Sequence, residues 1–399
     1  MDPLKIAILS RAPRCYSTKR LREACTKAGL IPKVLDPLRF GIYVESKEPT
    51  LTYRGRSLSH YDAVIPRVGS SVTFYGASVV RQFEQMGVWS ANPSQSIIIA
   101  RDKLRSLQVL SRYDLGIAKS AFVRDRKDVL PAIEEVGGAP VIIKLLEGTQ
   151  GVGVILAESI KVAEAIVETL QSKSLNVLIQ KFVSESRGKD IRAFVVGDRV
   201  VAAMRRKAVG QEFRSNVHRG GNTEVVTLTE EFERTAVRSA HILGLRIAGV
   251  DMLEGAEGPV IMEVNASPGL EGIETATGVD IAGSIVEYIK ENLRFDDFDI
   301  RQRLGLARGF QVAEFTVGPQ SELADRTIGE CGLRERDIIV LSINRAGQVL
   351  AAPKGQDIIQ AGDVLLCYGR KNTLRDYLPL KKPAKKKRKV KKSTDVNES

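Results

Sequence analysis

The first ninety or so residues alternate between short apolar runs and stretches with helical periodicity. The apolar runs have strand length and are bounded by turn residues, whereas the helical stretches repeat apolar positions at about 3.6-residue spacing. The predicted elements are strands over 5–10, 32–35 and 61–69 and helices over 18–28 and 74–87, before a break at Asn92-Pro93. This order predicts a small α/β domain over residues 1–93. No G-x-G-x-x-G pattern follows the first strand, which excludes a Rossmann dinucleotide site there.

Between residues 94 and 293 the pattern changes, and helices alternate with antiparallel hairpins. The predicted elements are helices over 97–115, 161–171, 230–243 and 279–293, strands over 139–146, 151–157 and 176–183, and hairpins over 190–206 and 249–269. Such an order predicts α+β units that enclose a site, and argues against a single open parallel sheet.

The remainder of the chain divides into three parts. Residues 294–309 are polar and are predicted to form a linker. Residues 310–380 contain short apolar strands broken by turn signals, which predicts a small α/β accessory domain without an evident catalytic motif. The composition of residues 381–399 predicts a disordered basic tail.

Most of the positive charge lies in this tail. The 399 residues include 60 Lys or Arg and 48 Asp or Glu, a formal net charge of +12. Residues 381–392 hold nine of the basic residues and 393–399 hold two of the acids, so residues 1–380 keep 51 basic against 46 acidic residues. The body is therefore nearly balanced, and only the tail suggests a polyanionic partner. Three roles stay open for it: contact with ribosomes or RNA, a basic nuclear-import signal, or a solvating extension.

Composition also excludes several protein classes. No apolar stretch approaches the roughly 18 residues of a membrane helix, and Asp2 stands where a signal peptide carries basic residues. We therefore expect a cytoplasmic protein that makes no membrane contact. Four cysteines lack C-x-x-C spacing and three histidines lie far apart, which argues against a zinc site, a disulfide framework and thiol redox chemistry.

The hairpin over 249–269 carries the most informative polar residues. A turn centred on Glu257 would place Asp251 opposite Glu263, with Asn265 two residues further along the same face. Two carboxylates and an amide oxygen are hard ligands that suit Mg²⁺ or Mn²⁺. The alternative is a polar, exposed hairpin face, with the buried face supplied by the apolar neighbours Val250, Met252, Met262 and Val264.

Two other segments suggest phosphate binding. Three glycines, Gly148, Gly151 and Gly153, lie between two predicted strands and follow Lys144, an arrangement that lets backbone N–H groups cover an anion. No Gly-Lys-Ser/Thr follows, so the segment is not a Walker A loop, and a plain hairpin loop is the alternative. Lys103, taken alone, is typical of a solvated helix surface.

The hairpin over 190–206 and the segment after it concentrate cationic and amide groups. Asp190 and Arg192 lie on the same face of one predicted strand, and Arg206, Arg214 and Asn216 follow in the sequence. Arginines at such positions can bind a carboxylate or a transferring phosphoryl group through two hydrogen bonds. A solvated basic edge explains the same spacing.

Several segments together resemble one enzyme family. In chain order they are KIAILSR, RVGSSVTFYG, ARDKLRSLQVL, IIKLLEGTQGVGV, FRSNVHRGG, AGVDMLE and IMEVNASPGLEGIETATGVDIAG. On these motifs, residues 4–292 are similar to the RimK-type alpha-L-glutamate ligases of the ATP-grasp superfamily. Residues 310–380 resemble the TrkA-C (RCK-C) module through VAEFTV, IIVLSINRAGQVLAAPKG and AGDVLLCYG.

This resemblance implies a pre-ATP-grasp α/β domain followed by an ATP-grasp fold, and a carbon–nitrogen ligase that uses ATP and two Mg²⁺ or Mn²⁺ ions. It also implies roles for particular residues. The nucleotide would be bound by Lys103 and Lys144 at the ATP phosphates under Gly148, Gly151 and Gly153, by Gln180, Lys181 and Phe182 at adenine, and by Asp190 at ribose. The triphosphate and acyl phosphate would contact Arg206, Arg214, Ser215 and Asn216, of which Arg206, Arg214 and Asn216 would take part in catalysis, and the metal would be bound by Asp251, Glu263 and Asn265. Lys181 departs from the family pattern, which has an acidic residue at the adenine hinge.

The implied reaction joins glutamate to a carboxylate acceptor through an acyl phosphate, with a protein or peptide terminus, such as that of a ribosomal protein, as the acceptor. A small molecule or carrier is the alternative acceptor. A non-catalytic ATP sensor is the alternative from another class, although the full metal and lysine set argues against it. The accessory domain is expected to assemble or tune the ligase, which predicts a homo-oligomer.

Overall fold

The computed structural model describes residues 3–46, 48–58, 60–146, 153–209, 222–293 and 309–378. The chain forms two compact units, Met1–Asp297 and Phe298–Ser399. The predicted tail, nearly all of the predicted linker and most of the glycine segment lie outside the described residues.

The first unit begins with a parallel sheet, as the sequence pattern predicts. Its elements are β1 (Lys5–Leu9), α1 (Tyr16–Lys27), β2 (Ile31–Leu35), β3 (Phe40–Tyr43), β4 (Thr50–Tyr53), β5 (Arg56–Ser57), β6 (Ala63–Pro66), α2 (Thr73–Gln85) and β7 (Trp89–Ser90). The sheet has the strand order β2-β1-β6-β7, and all of its neighbours are parallel. Strands β3, β4 and β5 form a separate antiparallel sheet that the sequence pattern did not predict, because β4 and β5 are short and only partly buried.

The helix predicted over 97–115 is wrong: the structure has two helices there, α3 (Ser94–Arg101) and α4 (Lys103–Leu110). Asp102 separates them with an extended backbone, and its side chain accepts a hydrogen bond from the Arg105 N–H at 3.0 Å. An aspartate at this position starts a new helix because it satisfies an N–H that has no partner in the first turn. The break makes Lys103 the first residue of α4.

Helices and antiparallel strands follow, as predicted. The elements are β8 (Ser120–Phe122), α5 (Val129–Glu135), β9 (Val141–Leu145), β10 (Val154–Ala157), α6 (Ile160–Ser172), β11 (Val177–Lys181), β12 (Lys189–Val196), β13 (Arg199–Lys207), β14 (Asn222–Val225), α7 (Glu230–Ile242), β15 (Ile247–Gly255), β16 (Gly258–Asn265), α8 (Glu271–Thr277) and α9 (Ile281–Asn292). They build two antiparallel sheets, with the orders β10-β9-β11-β8 and β14-β13-β12-β15-β16.

One hydrophobic core joins the N-terminal sheet to the larger of these sheets. Val64 and Val80 from the N-terminal part pack in the same buried cluster as Val250 and Ile261. Asn92, itself buried, donates to the carbonyls of Ile247 and Ala266 at 2.7 and 2.9 Å. The two predicted domains are therefore parts of a single compact unit, because apolar side chains from both are removed from water together.

The second unit has its own hydrophobic core. Its elements are β17 (Phe310–Thr316), β18 (Arg326–Thr327), β19 (Ile338–Arg345), β20 (Gln348–Ala351), β21 (Ile358–Ile359), β22 (Val364–Arg370) and α10 (Lys371–Tyr377). The main sheet has the order β17-β22-β19-β20, and Phe315, Ile338 and Leu365 are buried beneath it. Across the ranges that the structure describes, no helix combines the length and hydropathy needed to cross a membrane.

Candidate active site

The hairpin of β15 and β16 brings the predicted metal ligands together. Asp251 pairs with Glu263, as predicted, and Asn265 pairs with Gly249. The predicted turn is wrong in detail, because Gly255 pairs with Gly258 and the turn is Ala256-Glu257. A one-residue bulge then restores the predicted pairing of Asp251 with Glu263.

The bulge also changes which side chains are buried. Met262 was expected on the buried face, but Ile261 pairs with Met252 and is the buried residue, whereas Met262 is partly exposed. Glu263 is exposed and Asp251 is buried. The hairpin therefore presents one buried and one accessible carboxylate at the same register position.

Two arginines hold the buried carboxylate. Arg192 donates from Nε to Asp251 Oδ1 at 2.7 Å and from Nη2 to Oδ2 at 2.6 Å. Arg206 Nη2 lies 2.9 Å from Asp251 Oδ2. Burial alone would raise the pKa of Asp251, but Arg192 and Arg206 outweigh it and lower that pKa, so the carboxylate is ionised at neutral pH.

A second buried carboxylate shares one of these arginines. Asp190 pairs with Arg206 across β12 and β13, and Arg206 Nε donates to its two oxygens at 3.1 and 2.9 Å. Burial disfavours the charge of Arg206, but Asp251 and Asp190 outweigh it and raise the pKa of the guanidinium. The predicted ribose contact of Asp190 and the predicted catalytic contact of Arg206 stay predictions, and here each side chain is only 1% and 4% exposed, respectively.

The donor set fits a hard divalent cation. A carboxylate offers about four lone-pair positions, and the contacts above occupy three of those on Asp251, which leaves one on Oδ1. Asn265 donates through Nδ2 to the Gly249 carbonyl at 3.5 Å, so its amide oxygen stays available as a ligand. Within the described ranges, no three His, Cys, Asp or Glu residues form a metal cluster, and the predicted ligand set consists of two carboxylates and this amide.

The two predicted phosphate lysines lie close to this edge. Lys103, at the start of α4, donates from Nζ to the Leu145 carbonyl at 3.1 Å. Lys144 lies on the central strand β9, opposite Val154 and Leu178. Burial lowers the pKa of Lys144 to about 8, with the charge of Lys103 acting in the same direction and Glu263 acting against both. Burial also lowers the pKa of Lys103, again opposed by Glu263.

Gly153 is the last of the three predicted phosphate-binding glycines and directly precedes β10. Its φ is +77°, and a Cβ there would lie 2.6 Å from Cδ1 of Leu145. The Leu145 N–H donates to the Gly153 carbonyl at 2.8 Å, so the strands are joined directly at this point. Only glycine combines this backbone with such a close approach. Gly148 and Gly151 lie outside the described residues, as do Arg214, Ser215 and Asn216.

The predicted adenine segment lies at the end of β11. Gln180 is buried and donates from Nε2 to Ser120 Oγ at 2.9 Å, while the Lys181 N–H donates to the Lys119 carbonyl at 2.8 Å. Lys181 is exposed and Phe182 is partly buried. Their contact with a nucleotide stays a prediction.

The sequence did not single out Arg192 as the residue that orients Asp251. Its position two residues after Asp190 was visible, but its partner became clear only from the pairing of β12 with β15. That pairing joins segments 59 residues apart, and hydrophobic periodicity does not specify which strands become neighbours.

This arrangement of sheets is similar to that of solved ATP-grasp ligases. The chain aligns with the structure of the ATP-grasp ligase PsnB complexed with minimal precursor at 22% identity and a TM-score of 0.59, over 73% of this chain and 99% of that one. It aligns with the macrocyclase MdnC from Microcystis aeruginosa, bound with precursor peptide MdnA, at 15% identity and a TM-score of 0.57, over 72% and 100%. Both confirm the predicted fold.

Sequence comparison identifies the family. Residues 4–97 match the RimK PreATP-grasp domain, 100–289 the RimK-like ATP-grasp domain and 312–381 the TrkA-C domain. A probable alpha-L-glutamate ligase of Rhodopirellula baltica is 59% identical over 98% of this chain and 97% of its own length. A second, from Thioalkalivibrio sulfidiphilus, is 54% identical over 73% of this chain and 97% of its own. The chain belongs to the RimK-type alpha-L-glutamate ligases, enzymes that form carbon–nitrogen bonds with ATP and Mg²⁺.

Proposed function

We propose that this enzyme adds glutamate to the carboxylate terminus of a peptide or protein. The acceptor carboxylate attacks the γ-phosphorus of ATP, which gives an acyl phosphate and ADP. The amine of glutamate then attacks the acyl carbon, phosphate leaves, and one proton is released as the amide bond forms. The observation that carries the proposal is that Lys103, which donates to the Leu145 carbonyl, and Lys144 both lie within the electrostatic reach of Glu263, which pairs with Asp251.

The positions of the charged side chains support this chemistry, which does not require a nucleophilic side chain. Phosphoryl transfer needs alignment and charge neutralisation, and the enzyme need not form a covalent bond to the substrate. Lys103 and Lys144 would bind ATP phosphates, and Asp251, Glu263 and Asn265 would bind two Mg²⁺ or Mn²⁺ ions. Bound magnesium supplies neutralisation of the transferring phosphoryl group. Arg192 and Arg206 orient Asp251 for that role.

A peptide acceptor is favoured because solved ligases of similar fold are described with precursor substrates. PsnB and MdnC are each described in complex with a precursor, a peptide in the case of MdnC. A ribosomal protein terminus is one such acceptor. Activation of a small molecule or carrier would need the same phosphate-binding and metal-binding groups. The experiment below distinguishes such an acceptor from a protein.

Incubation of the enzyme with ATP, Mg²⁺, glutamate and a ribosomal-protein extract tests the proposal, with ADP release and intact protein mass as the readouts. We expect an acceptor to gain the mass of one or more glutamyl residues, and the Glu263→Gln variant to lose both readouts. Glu257→Gln is the matched control, because Glu257 lies in the turn of the same hairpin and is exposed.

Other outcomes separate the alternatives. ADP release that requires glutamate but modifies no protein would move the acceptor to a small molecule. ATP binding without ADP release, with every amino acid and acceptor tried, would support a sensor and contradict the ligase proposal.

We also propose roles for the remaining parts of the chain. The TrkA-C unit would assemble or tune a homo-oligomeric ligase, and the basic segment 381–392 would contact ribosomes or RNA through phosphate charge. Unchanged kinetics and particle mass after deletion of residues 310–399 would contradict the first role. Unchanged co-sedimentation with ribosomes at low salt after deletion of residues 381–399 would contradict the second. A cytoplasmic location accords with the use of ATP and with four free cysteines.

A further inference from the structure

Two arginines outside the predicted site lie together at the carboxyl end of the N-terminal parallel sheet. Arg67 directly follows β6, and its N–H donates to the Leu9 carbonyl at the end of β1 at 2.9 Å. Arg101 ends α3 and donates from Nη2 to the Val68 carbonyl at 2.6 Å. Both guanidinium groups are therefore held at one edge of the sheet.

This edge adjoins the candidate metal site. Arg67 Nη1 donates to the carbonyl of Pro268 at 2.7 Å, and Pro268 lies three residues after Asn265. Arg101 is close enough to Glu263 for that carboxylate to oppose the lowering of its pKa. Arg67 and Arg101 are thus next to the place where the acyl phosphate would form.

The positive charge of this pair is not balanced by a fixed carboxylate. Among the described residues, neither Arg67 nor Arg101 forms an ion pair, and the two guanidinium groups donate to backbone carbonyls. Arg101 Nε is a buried atom without a hydrogen-bond partner in that part of the chain. In contrast, Arg192 and Arg206 of the same unit both bind carboxylates.

Holding these charges near each other is unfavourable without an anion. Burial lowers the pKa of Arg67 to about 10; Cys15 opposes this shift and the charge of Arg101 adds to it. Both residues nevertheless keep part of their surface exposed to solvent. Helix α1 begins at the same edge without an acidic residue in its first turn, and its N-terminal dipole adds to the positive potential.

We infer that Arg67 and Arg101 form a binding site for the carboxylates of the amino acid that this ligase adds. The inference rests on the proposed function. The reaction activates one carboxylate, that of the acceptor, whereas free glutamate keeps both of its carboxylates and reacts through its amine. Two guanidinium groups beside the metal site match those two negative charges, and each can bind a carboxylate oxygen pair.

The Arg101→Gln variant tests this assignment, with Arg67→Gln as a second variant in case the first fails to fold. Arg81→Gln is the matched control, because Arg81 lies on the exposed side of α2. Binding of radiolabelled glutamate to the enzyme with ADP and Mg²⁺ is measured by equilibrium dialysis, alongside separate KM values for glutamate, acceptor and ATP.

We expect the dissociation constant and KM for glutamate to rise at least about tenfold in both variants, as when a charge-assisted hydrogen bond is lost. The KM for ATP should stay within about twofold, and Arg101→Lys should recover part of the affinity because it keeps the charge but not the planar fork.

Two results would overturn the assignment. A rise in the acceptor KM with an unchanged glutamate KM would give the site to the acceptor carboxylate. Unchanged constants for both substrates, in folded variants that still bind ATP, would leave the arginines without a substrate role. Neither result affects the proposed ligase function, which fails if the unsubstituted enzyme releases no ADP with any amino acid and acceptor.

Discussion

Arg192 binds Asp251 through two of its guanidinium nitrogens, with Nε 2.7 Å from Oδ1 and Nη2 2.6 Å from Oδ2. The two residues face each other on adjacent strands, β12 and β15, so the backbone fixes their separation. Such a planar, two-point contact sets the orientation of the carboxylate as well as its charge. The candidate metal ligand is therefore oriented before any ion binds.

Replacing this arginine should weaken metal binding. In Arg192→Gln we expect the Mg²⁺ concentration for half-maximal activity to rise about 10- to 100-fold, the range seen when an outer partner of a metal ligand is removed. Magnesium titrations of ADP release measure this directly. Arg199→Gln is the control, because Arg199 begins the neighbouring strand and is exposed. An identical magnesium dependence in both variants would show that Arg192 does not act on the metal site.

Arg206 is expected to be important for stability, because its removal leaves the carboxylates of Asp190 and Asp251 buried with less compensation. Arg206→Met should destabilise the first unit by about 3–5 kcal/mol, the usual cost of breaking a buried ion pair. Trp89, the only tryptophan of the chain, lies in this unit and reports its unfolding in urea.

Lys207→Met provides the comparison, because Lys207 is the next residue and its ion pair with Glu224 is exposed. We expect its unfolding midpoint to match that of the unsubstituted protein. Equal destabilisation by the two substitutions would contradict the account of the Asp190–Arg206 pair.

ATP binding should weaken above about pH 8. Burial lowers the pKa of Lys144 to about 8, so above that pH the free enzyme loses the proton that phosphate binding requires. Binding then takes up a proton, and the dissociation constant for MgATP should rise by up to about tenfold per pH unit between pH 8 and 9. Calorimetry at pH 7, 8 and 9 measures this. Lys144→Arg should show a flatter profile, because arginine stays protonated throughout; parallel profiles would exclude Lys144 as the titrating group.

Gly153→Ala should disturb the contact between Gly153 and Leu145, which joins β9 to the start of β10. Both Gly153 and Gly138 have positive φ, +77° and +75°, but a Cβ on Gly138 would meet no atom within 4 Å, whereas one on Gly153 would meet Leu145 at 2.6 Å. Gly138→Ala therefore measures the backbone cost alone, about 1 kcal/mol. We expect Gly153→Ala to lower the melting temperature further and to raise the KM for ATP. Equal effects of the two substitutions would show that the contact with Leu145 is unimportant.

The sequence predicts those parts of the site that local geometry determines. Asp251 and Glu263 lie on one hairpin, so strand alternation and an approximate turn position were enough to pair them. The bulge that corrects the pairing was not predictable, because it depends on how Ile261 packs into the core. The end of a helix at Arg101 was missed since apolar periodicity continues through Asp102.

Contacts between distant segments were beyond the sequence pattern. Arg67 reaches Pro268, which is 201 residues away, and Arg101 reaches Val68. Both arginines lie in segments that carry the family resemblance, but nothing in those segments indicates that the two side chains meet. Their proximity follows from the core that joins the N-terminal sheet to β15 and β16, and that core requires the complete first unit.

Transfer of oxygen from the acceptor to phosphate shows whether the acceptor carboxylate is activated as an acyl phosphate. An acceptor whose terminal carboxylate carries heavy oxygen is incubated with the enzyme, ATP, Mg²⁺ and glutamate, and the inorganic phosphate is analysed by mass spectrometry. We expect one heavy oxygen to pass from each acceptor to phosphate as the glutamyl product forms. Formation of the same product with unlabelled phosphate would contradict it.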